Sequence, residues 1–329
     1  SHFIQSHHNV DKDSIDLLQH RWTLRKGSRK EYLRMLRFMA NNDLSDPEVF
    51  QRVSEKMDVN NFMHLMIAQI YAANLDAGGN IKFWKPKSGD GKWRWILYDT
   101  DYAFGMYDEK SYSMNSVDFF TEEDGPKWPN PPWSTFILRK LLENSDFQME
   151  FITSFCDYLN TDLSSENVLD HIEEKYETLL PEYERHLKKW KLRKAHWEHE
   201  IQVCRNFALY RPDYLRLFLK EEFQLNKESI INVHDLQNGI VVIKERIELD
   251  SLNDFSGTYF KDLPVQLKAI PDYGYVFSHW EGIEFQTDQP DITVFPSANE
   301  YSLRPIFKKY VHPLRGQIVI NEVYPCGKP

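Results

Sequence analysis

Hydrophobic residues recur at two different spacings along the chain, and the change between them divides it. From Tyr32 to Ile70, and again from Ser134 to about Phe223, apolar positions repeat every three or four residues, which is typical of amphipathic helices. After residue 227, short alternating apolar runs separated by turn residues predict β-structure. We therefore predict a multidomain α+β chain, with a mostly helical region over residues 1–226 and a small all-β module over residues 227–310.

The clearest helical pattern ends at a polar loop. Asp58 is placed to cap the start of this helix, as Asp46 and Ser164 are for two others. The loop Asn74-Leu75-Asp76 follows its last turn. A helix with one apolar face packs on the core and fixes the direction of the loop behind it. The residues that form this apolar face are Phe62, Leu65, Met66, Gln69 and Ile70.

A two-stranded β-hairpin is predicted directly after this loop. Its second strand is the short, aromatic-rich run Trp93–Tyr98, which is typical of a buried strand. Asp99 and Asp101 follow the end of that strand. Mg²⁺ prefers oxygen ligands and usually takes one or two carboxylates together with substrate phosphates. We expect Asp99, Asp101 and Asn80 to be metal ligands, which leaves Asp76 free to accept a proton.

The order of these polar residues is that of a protein kinase. There, an Asp orients the attacking hydroxyl, an Asn binds a metal ion, and an Asp before Phe-Gly binds the metal on the phosphates. Asp76, Asn80, Asp99 and Phe104-Gly105 occur here in that order. Asp and Asn are also frequent in loops for conformational reasons, so the order alone is a weak signal.

Longer segments resemble the CotH family, bacterial and fungal surface or spore-coat proteins with an atypical kinase fold. The similar segments are N-L-D-A-G-G-N-I-K-F-W-K-P, G-K-W-R-W-I-L-Y-D-T-D-Y-A-F-G, S-H-H-N-V-D-K-D-S-I-D-L-L and Y-R-P-D-Y-L-R-L-F-L. Together they cover about residues 1–225. This chain has Ala77-Gly78-Gly79 and a single Asn80 where the family commonly has a longer turn with two Asn.

The resemblance implies a function. It implies a kinase-like C-terminal lobe that uses ATP and Mg²⁺ (or Mn²⁺ or Ca²⁺) to phosphorylate a Ser or Thr hydroxyl of a surface or coat protein. Asp76 would be the catalytic residue, and Asp99, Asp101 and Asn80 the metal ligands. It also implies an extracellular or cell-surface location in a bacterium.

Both ends of the chain predict further sequence beyond it. Ser1–Ile4 has the pattern of a helix interior, so we expect the N-terminal kinase lobe to precede it and the chain alone to be inactive. Residues 257–307, with Tyr275 and Trp280 as expected core, resemble the internalin-type B-repeat. Residues 311–329 resemble the start of a lamin-tail-like β-domain.

Composition excludes several other classes of protein. With 40 basic and 50 acidic side chains, the net charge is −10, which disfavours nucleic acid as a partner. The three cysteines are too few and too scattered for a disulfide framework or a zinc site. The sequence contains no run of about 20 apolar residues that would predict a membrane span. A nucleotide and a protein substrate are the expected partners.

Two other motifs have simpler explanations. His196-Trp197-Glu198-His199 spaces its histidines at i and i+3, whereas the zinc-protease motif needs i and i+4, so a solvated helix face is favoured. Arg205 and Arg211 are expected to pair with acidic neighbours rather than with phosphate.

Two other functions stay open at this stage. Asp99-Thr100-Asp101 is also an Asp-x-Asp at a strand end, as in metal-dependent glycosyltransferases. Such enzymes need an alternating strand-helix nucleotide domain before it, which the helices and hairpin here do not provide. The second alternative is a surface adhesin or structural protein without catalysis, which the appended β-module favours.

Overall fold

The chain folds into two compact units. The computed structural model describes residues 2–88, 91–128, 130–252, 254–283 and 288–311. The first unit ends at Asn226 and the second begins at Lys227. Helices and small sheets are both present, so the α+β class expected from the sequence is confirmed.

Helices make up most of the first unit. None of those in the described ranges is long and apolar enough to cross a lipid bilayer. In chain order they are α1 (His2–His8), α2 (Lys30–Ala40), α3 (Pro47–Ser54), α4 (Val59–Tyr71), α5 (Ser116–Thr121), α6 (Pro132–Leu141), α7 (Ser145–Asn160), α8 (Ser165–Trp190) and α9 (Lys194–Glu222).

Side-chain caps start several of these helices as the sequence predicts. The Asp46 carboxylate accepts a hydrogen bond from a backbone N–H of the first turn of α3, and Asp58 does the same for α4. Ser164 caps α8. The apolar face predicted for α4 is confirmed, because all five of its residues are buried. Asp58 also bonds the guanidinium of Arg94 at 3.2 Å, which ties the start of α4 to the following sheet.

The predicted hairpin is confirmed, although its second strand is shorter than the predicted Trp93–Tyr98. In the described residues its two strands belong to a four-stranded antiparallel sheet. The strands are β1 (Ile15–Gln19), β2 (Thr23–Lys26), β3 (Lys82–Pro86) and β4 (Arg94–Ile96), in the order β2-β1-β3-β4. Residues 15–26, for which no strand is predicted from the sequence, therefore contribute two strands. Leu18 pairs with Phe83 and is fully buried, so a contact distant in sequence stabilises β1.

An aromatic cluster fixes the sheet on α4. Phe83 lies 4.3 Å from Tyr32 and Phe62 lies 4.8 Å from Trp95, measured between ring centroids. The carbonyl of Trp93 accepts a hydrogen bond from Asp58 N at 2.9 Å. Aromatic pairs at these distances contribute beyond their buried area. Helix α4 and the strands β3 and β4, which follow the Asp76 loop, therefore pack against each other.

The second unit consists of strands in its described residues. They are β5 (Glu228–Val233), β6 (Gly239–Ile243), β7 (Ile247–Leu249), β8 (Phe255–Phe260), β9 (Val265–Pro271), β10 (Tyr275–Glu281), β11 (Asp291–Val294) and β12 (Glu300–Lys309). They form two four-stranded sheets, ordered β10-β12-β5-β8 and β11-β9-β6-β7. All pairs are antiparallel except β12 with β5. Alternate residues of β9 are buried, as in a strand with one core face.

Trp280 and Gly282 fix the structure around the end of β10. Trp280 is buried and its indole N–H donates to the carbonyl of Gln289 at 3.1 Å. Gly282 has φ +89°, and a Cβ there would lie 1.8 Å from the Ser302 carbonyl oxygen, so only glycine fits. Residues 312–329, which include most of the expected lamin-tail-like segment, lie outside the described residues.

The boundary between the units gives a first prediction. Asn226 and Lys227 are exposed, between the end of α9 and the start of β5. Since exposed connections between compact units are preferred sites of proteolysis, limited digestion with a lysine-specific protease should cut after Lys227. Two resistant products, identified by mass spectrometry, are expected. Persistence of one resistant product that spans both units would contradict this expectation.

Candidate functional site

The loop after α4 is organised by a buried asparagine that the sequence reasoning missed. Asn74 is fully buried and donates its amide to the Gln69 side chain at 2.8 Å. Its side-chain oxygen accepts a hydrogen bond from Asp76 N at 3.2 Å. The polar Gln69 in the otherwise apolar face of α4 is the one signal that could have indicated this bond. Asn74 therefore fixes the backbone that carries Asp76.

Asp76 and Asn80 are in direct contact. The Asn80 amide donates to the Asp76 carboxylate at 2.5 Å. Backbone N–H groups of Gly79 and Asn80 donate to the Asp76 carbonyl at 3.1 and 3.0 Å, which closes the turn. The Asn80 amide oxygen is not used by this contact, and it is the atom that a metal ion would take.

The carboxylates of Asp76, Asp99 and Asp101 affect one another. Burial raises the pKa of Asp76, and the negative charges of Asp99 and Asp101 raise that pKa further. A hydrogen bond from the Trp128 side chain acts in the opposite direction and lowers the Asp76 pKa. Like charges raise a carboxyl pKa only at short range. Asp76 and the carboxylates of Asp99 and Asp101 are therefore electrostatic neighbours.

Asp99 has an unusual backbone conformation. Its φ is +59°, in the left-handed region that Asp tolerates better than most residues. Its carbonyl accepts a hydrogen bond from the Asn74 amide at 3.5 Å, so one buried side chain contacts both segments of the site. Asp99 and Asp101 are exposed whereas Asp76 is half-buried. The strand-end carboxylates are therefore the ones open to ligands from solvent.

The segment that follows Asp101 is attached to both α4 and α9. Phe104 N donates to the carbonyl of Ala72 at 3.2 Å, and the Phe104 ring lies 4.6 Å from Phe207. Gly105 has φ +95°, and a Cβ there would lie 2.4 Å from a Val203 methyl group. The Phe104-Gly105 pair noted in the sequence thus has a packing role, since only glycine lets the chain approach α9 so closely.

Arg211 of α9 binds the end of α4 from inside the protein. It is fully buried, and its Nε and Nη2 donate to the carbonyls of Tyr71 and Ile70 at 2.9 and 2.8 Å. These carbonyls belong to the last turn of α4, where helix carbonyls commonly lack an intrahelical N–H partner. A cation at this end of a helix is also favoured by the helix dipole.

The same guanidinium holds the segment after the carboxylates. Its Nη1 donates to the carbonyls of Tyr112 and Met114 at 2.9 and 2.7 Å, and Nη2 also contacts the Ser116 hydroxyl. The expectation that Arg211 pairs with acidic neighbours is wrong, because its partners are backbone carbonyls. Burial lowers the pKa of Arg211 to about 9, so it keeps its charge at neutral pH.

The remaining sequence candidates lie on solvated helix faces. Arg205 forms a bidentate ion pair with Glu173, as expected. His196 and His199 are exposed, and they contact Glu200 at 3.3 Å and Glu109 at 2.8 Å respectively. The prediction of a solvated face in place of a zinc site agrees with these contacts.

The donor set of the site fits a hard divalent cation by its chemistry. Across the described ranges, no three or more His, Cys, Asp and Glu side chains are arranged to share an ion. The oxygens available are those of Asp99, Asp101 and the Asn80 amide. Mg²⁺ commonly uses one or two carboxylates and completes its shell with water and substrate phosphates. The chemistry of these three side chains therefore suits a metal ion whose other ligands are water and phosphate oxygens.

Comparison with protein families identifies the first unit. A family model described as CotH kinase protein matches residues 3–215. The chain belongs to the CotH kinase family. Curated proteins and solved structures gave no match. The CotH match includes both carboxylate segments and Arg211, and it ends before the second unit, so the B-repeat and lamin-tail resemblances stay predictions.

The contacts of Arg211 in this CotH region give a second prediction. Arg211→Gln would remove the guanidinium donors to the Tyr71 and Tyr112 carbonyls, and each buried carbonyl left unsatisfied costs about 1–3 kcal/mol. We expect the free energy of unfolding of the first unit to fall by at least about 3 kcal/mol. Urea unfolding followed by the helical circular dichroism signal measures it.

Arg205→Gln on the same helix is the matched control. It removes a part-buried ion pair at the surface of the helix, and we expect the loss to be about 1 kcal/mol. Equal losses of stability in the two variants would show that the buried contacts of Arg211 have no special importance.

Proposed function

We propose that this chain is the helical lobe of an atypical CotH-type kinase. The reaction is transfer of the γ-phosphoryl group of ATP to a Ser or Thr hydroxyl of a protein at the bacterial cell surface or in the spore coat. The proposal rests on one observation above all. The half-buried Asp76, hydrogen-bonded to Asn80, lies within electrostatic range of the exposed Asp99 and Asp101.

Asp76 has the position and environment of a catalytic base. Its backbone is fixed through Asn74 and its own turn, and its carboxylate is oriented by the Asn80 amide. Burial and neighbouring charges raise its pKa, which makes it a better proton acceptor than an exposed aspartate. In this role Asp76 binds the acceptor hydroxyl and takes its proton as the oxygen attacks phosphorus.

Asp99, with Asp101 or the Asn80 amide oxygen, would hold Mg²⁺, or Mn²⁺ or Ca²⁺ in its place. When bound, the cation neutralises charge on the phosphates of ATP and orients them. The exposure of Asp99 and Asp101 suits a metal ion that arrives with the nucleotide. Asn74 positions the proposed base and metal ligand relative to each other, because its side chain is hydrogen-bonded to the backbone of both Asp76 and Asp99.

The glycosyltransferase alternative is weaker than the kinase proposal. The sheet that leads to Asp99 is antiparallel throughout its described strands. Nucleotide-sugar enzymes with an Asp-x-Asp need strands alternating with helices around a mostly parallel sheet. An adhesin or structural role is the second candidate, and the observation in its favour is the second unit, whose described residues form eight strands.

Separate substitutions of Asp76 and Asp99 distinguish these functions. In the natural full-length protein, Asp76→Asn keeps the shape and most hydrogen bonds but loses the proton acceptor. Transfer of labelled phosphate should fall by about 10²- to 10⁴-fold while ATP still binds in the presence of Mg²⁺. Asp99→Asn should lose both transfer and metal-dependent ATP binding.

Asp124→Asn is the matched control, because Asp124 is an exposed aspartate outside the site, and it should leave both measurements unchanged. Melting temperatures of all three variants should stay close to that of the unchanged protein. If phosphorylation is unaffected by either site variant, the carboxylates belong to loop structure and the adhesin function is favoured.

A further inference from the structure

A large cavity in the first unit adjoins the Asp76 loop. It lies between α2, α4, α6 and the sheet, and its volume is about 460 Å³. Small-ligand sites commonly measure about 300–1,000 Å³, and about 150 Å³ is enough to hold a benzene ring. Half-buried aromatic side chains such as Trp22, Trp133 and Phe136 form part of its wall. The cavity is therefore suited to large apolar groups.

One wall of this cavity is the loop that carries the proposed base. Ala77, Gly78 and Asn80 line it, and Asn80 is hydrogen-bonded to Asp76. His20 supports the same wall, since its ring contacts the Gly79 carbonyl at 3.2 Å. A molecule held in the cavity therefore contacts the loop that carries Asp76, although Asp76 itself does not line the cavity. Asp99 and Asp101 are not among the residues that line it.

The rim of the cavity is positively charged although the chain as a whole is acidic. Arg21 and Arg37 are exposed and line the cavity. Within the described ranges neither has a carboxylate partner, whereas Arg139 at the same cavity has Glu123 at 3.7 Å. Arg21 stacks over the Trp22 ring at 3.9 Å, which places its charge beside an aromatic wall. In a chain of net charge −10, such a rim selects for anionic groups.

We propose that this cavity binds the acceptor segment of the substrate protein, an acidic peptide with large apolar side chains. An apolar side chain fills the cavity, acidic residues pair with Arg21 and Arg37, and the hydroxyl lies at Asp76. The inference rests on the proposed kinase function. A peptide is favoured over the nucleotide, because the walls are largely apolar and, of the three proposed metal ligands, only Asn80 lines the cavity.

Binding of synthetic peptides tests this inference without nucleotide. The probe is a fluorescein-labelled peptide with phenylalanine on both sides of a serine, among glutamates. Matched peptides replace phenylalanine by alanine or glutamate by lysine. Fluorescence anisotropy should show that the chain binds the first peptide. The other two peptides should bind at least about fivefold more weakly, a modest factor for the lysine peptide because each exposed ion pair contributes little.

The double variant Arg21→Gln/Arg37→Gln should weaken binding of the acidic peptide by at least about fivefold. The matched control is Arg25→Gln/Arg34→Gln. It removes two arginines from β2 and α2 that do not line the cavity, and it should bind as the unchanged chain does. Equal affinities of the two double variants would overturn the inference, as would equal binding of the lysine peptide or competitive displacement of the peptide by ATP with Mg²⁺.

Phosphate transfer in the full-length protein separates this inference from the function that it rests on. If the full-length protein transfers phosphate to proteins but shows no preference for the acidic peptide, the inference is overturned and the kinase function stands. Selective peptide binding at the cavity without any transfer would support the peptide site and contradict the kinase function.

Discussion

The first unit depends on one buried charge. Arg211 is fully enclosed, and a buried guanidinium is costly unless its donors are satisfied. Here the partners are carbonyls of the last turn of α4 and of the segment that follows the carboxylates, together with the Ser116 hydroxyl. Neither segment can move away without leaving the charge unpaired. The position of the loop after α4 is therefore set by a residue far away in sequence.

This constraint accounts for the arrangement of the site. Asp76 follows the end of α4, whose carbonyls accept hydrogen bonds from Arg211. The segment after Asp99 contacts the same helix end, because Phe104 N donates to the Ala72 carbonyl. Asn74 then joins the two segments by bonds to Asp76 and to Asp99. Catalysis by positioning and charge neutralisation, as in phosphoryl transfer, needs such a fixed separation. The CotH family match covers all of these residues.

The sequence predicted features that rest on local patterns. The apolar face of α4 and the caps Asp46, Asp58 and Ser164 follow from spacing and from backbone N–H groups nearby. Two features depend on distant partners and were missed. The first, β1, is stabilised by pairing with β3, and its Asp16 is buried because it accepts a bond from Ser28 N at 2.7 Å.

The second missed feature, the set of contacts made by Arg211, could not be read from residue types. Backbone carbonyls are present at every position, so nothing in the sequence marks the ones that accept from a distant arginine. The cavity beside Asp76 was missed for a similar reason, since three helices and a sheet form it together. For Asp76, Asn80, Asp99 and Asp101, the sequence order and the family resemblance predict a joint role, which stays a prediction. In the structure Asp76 is hydrogen-bonded to Asn80 and is an electrostatic neighbour of Asp99 and Asp101.

Electron paramagnetic resonance of Mn²⁺ tests the central claim most directly, because free and bound Mn²⁺ give distinct signals. With ATP present, the chain should bind Mn²⁺ in excess of what ATP alone binds. This extra binding should be lost in Asp99→Ala and retained in Asp124→Ala. Equal binding by both variants would contradict the account, since the strand-end carboxylate would then have no part in holding a metal and nucleotide.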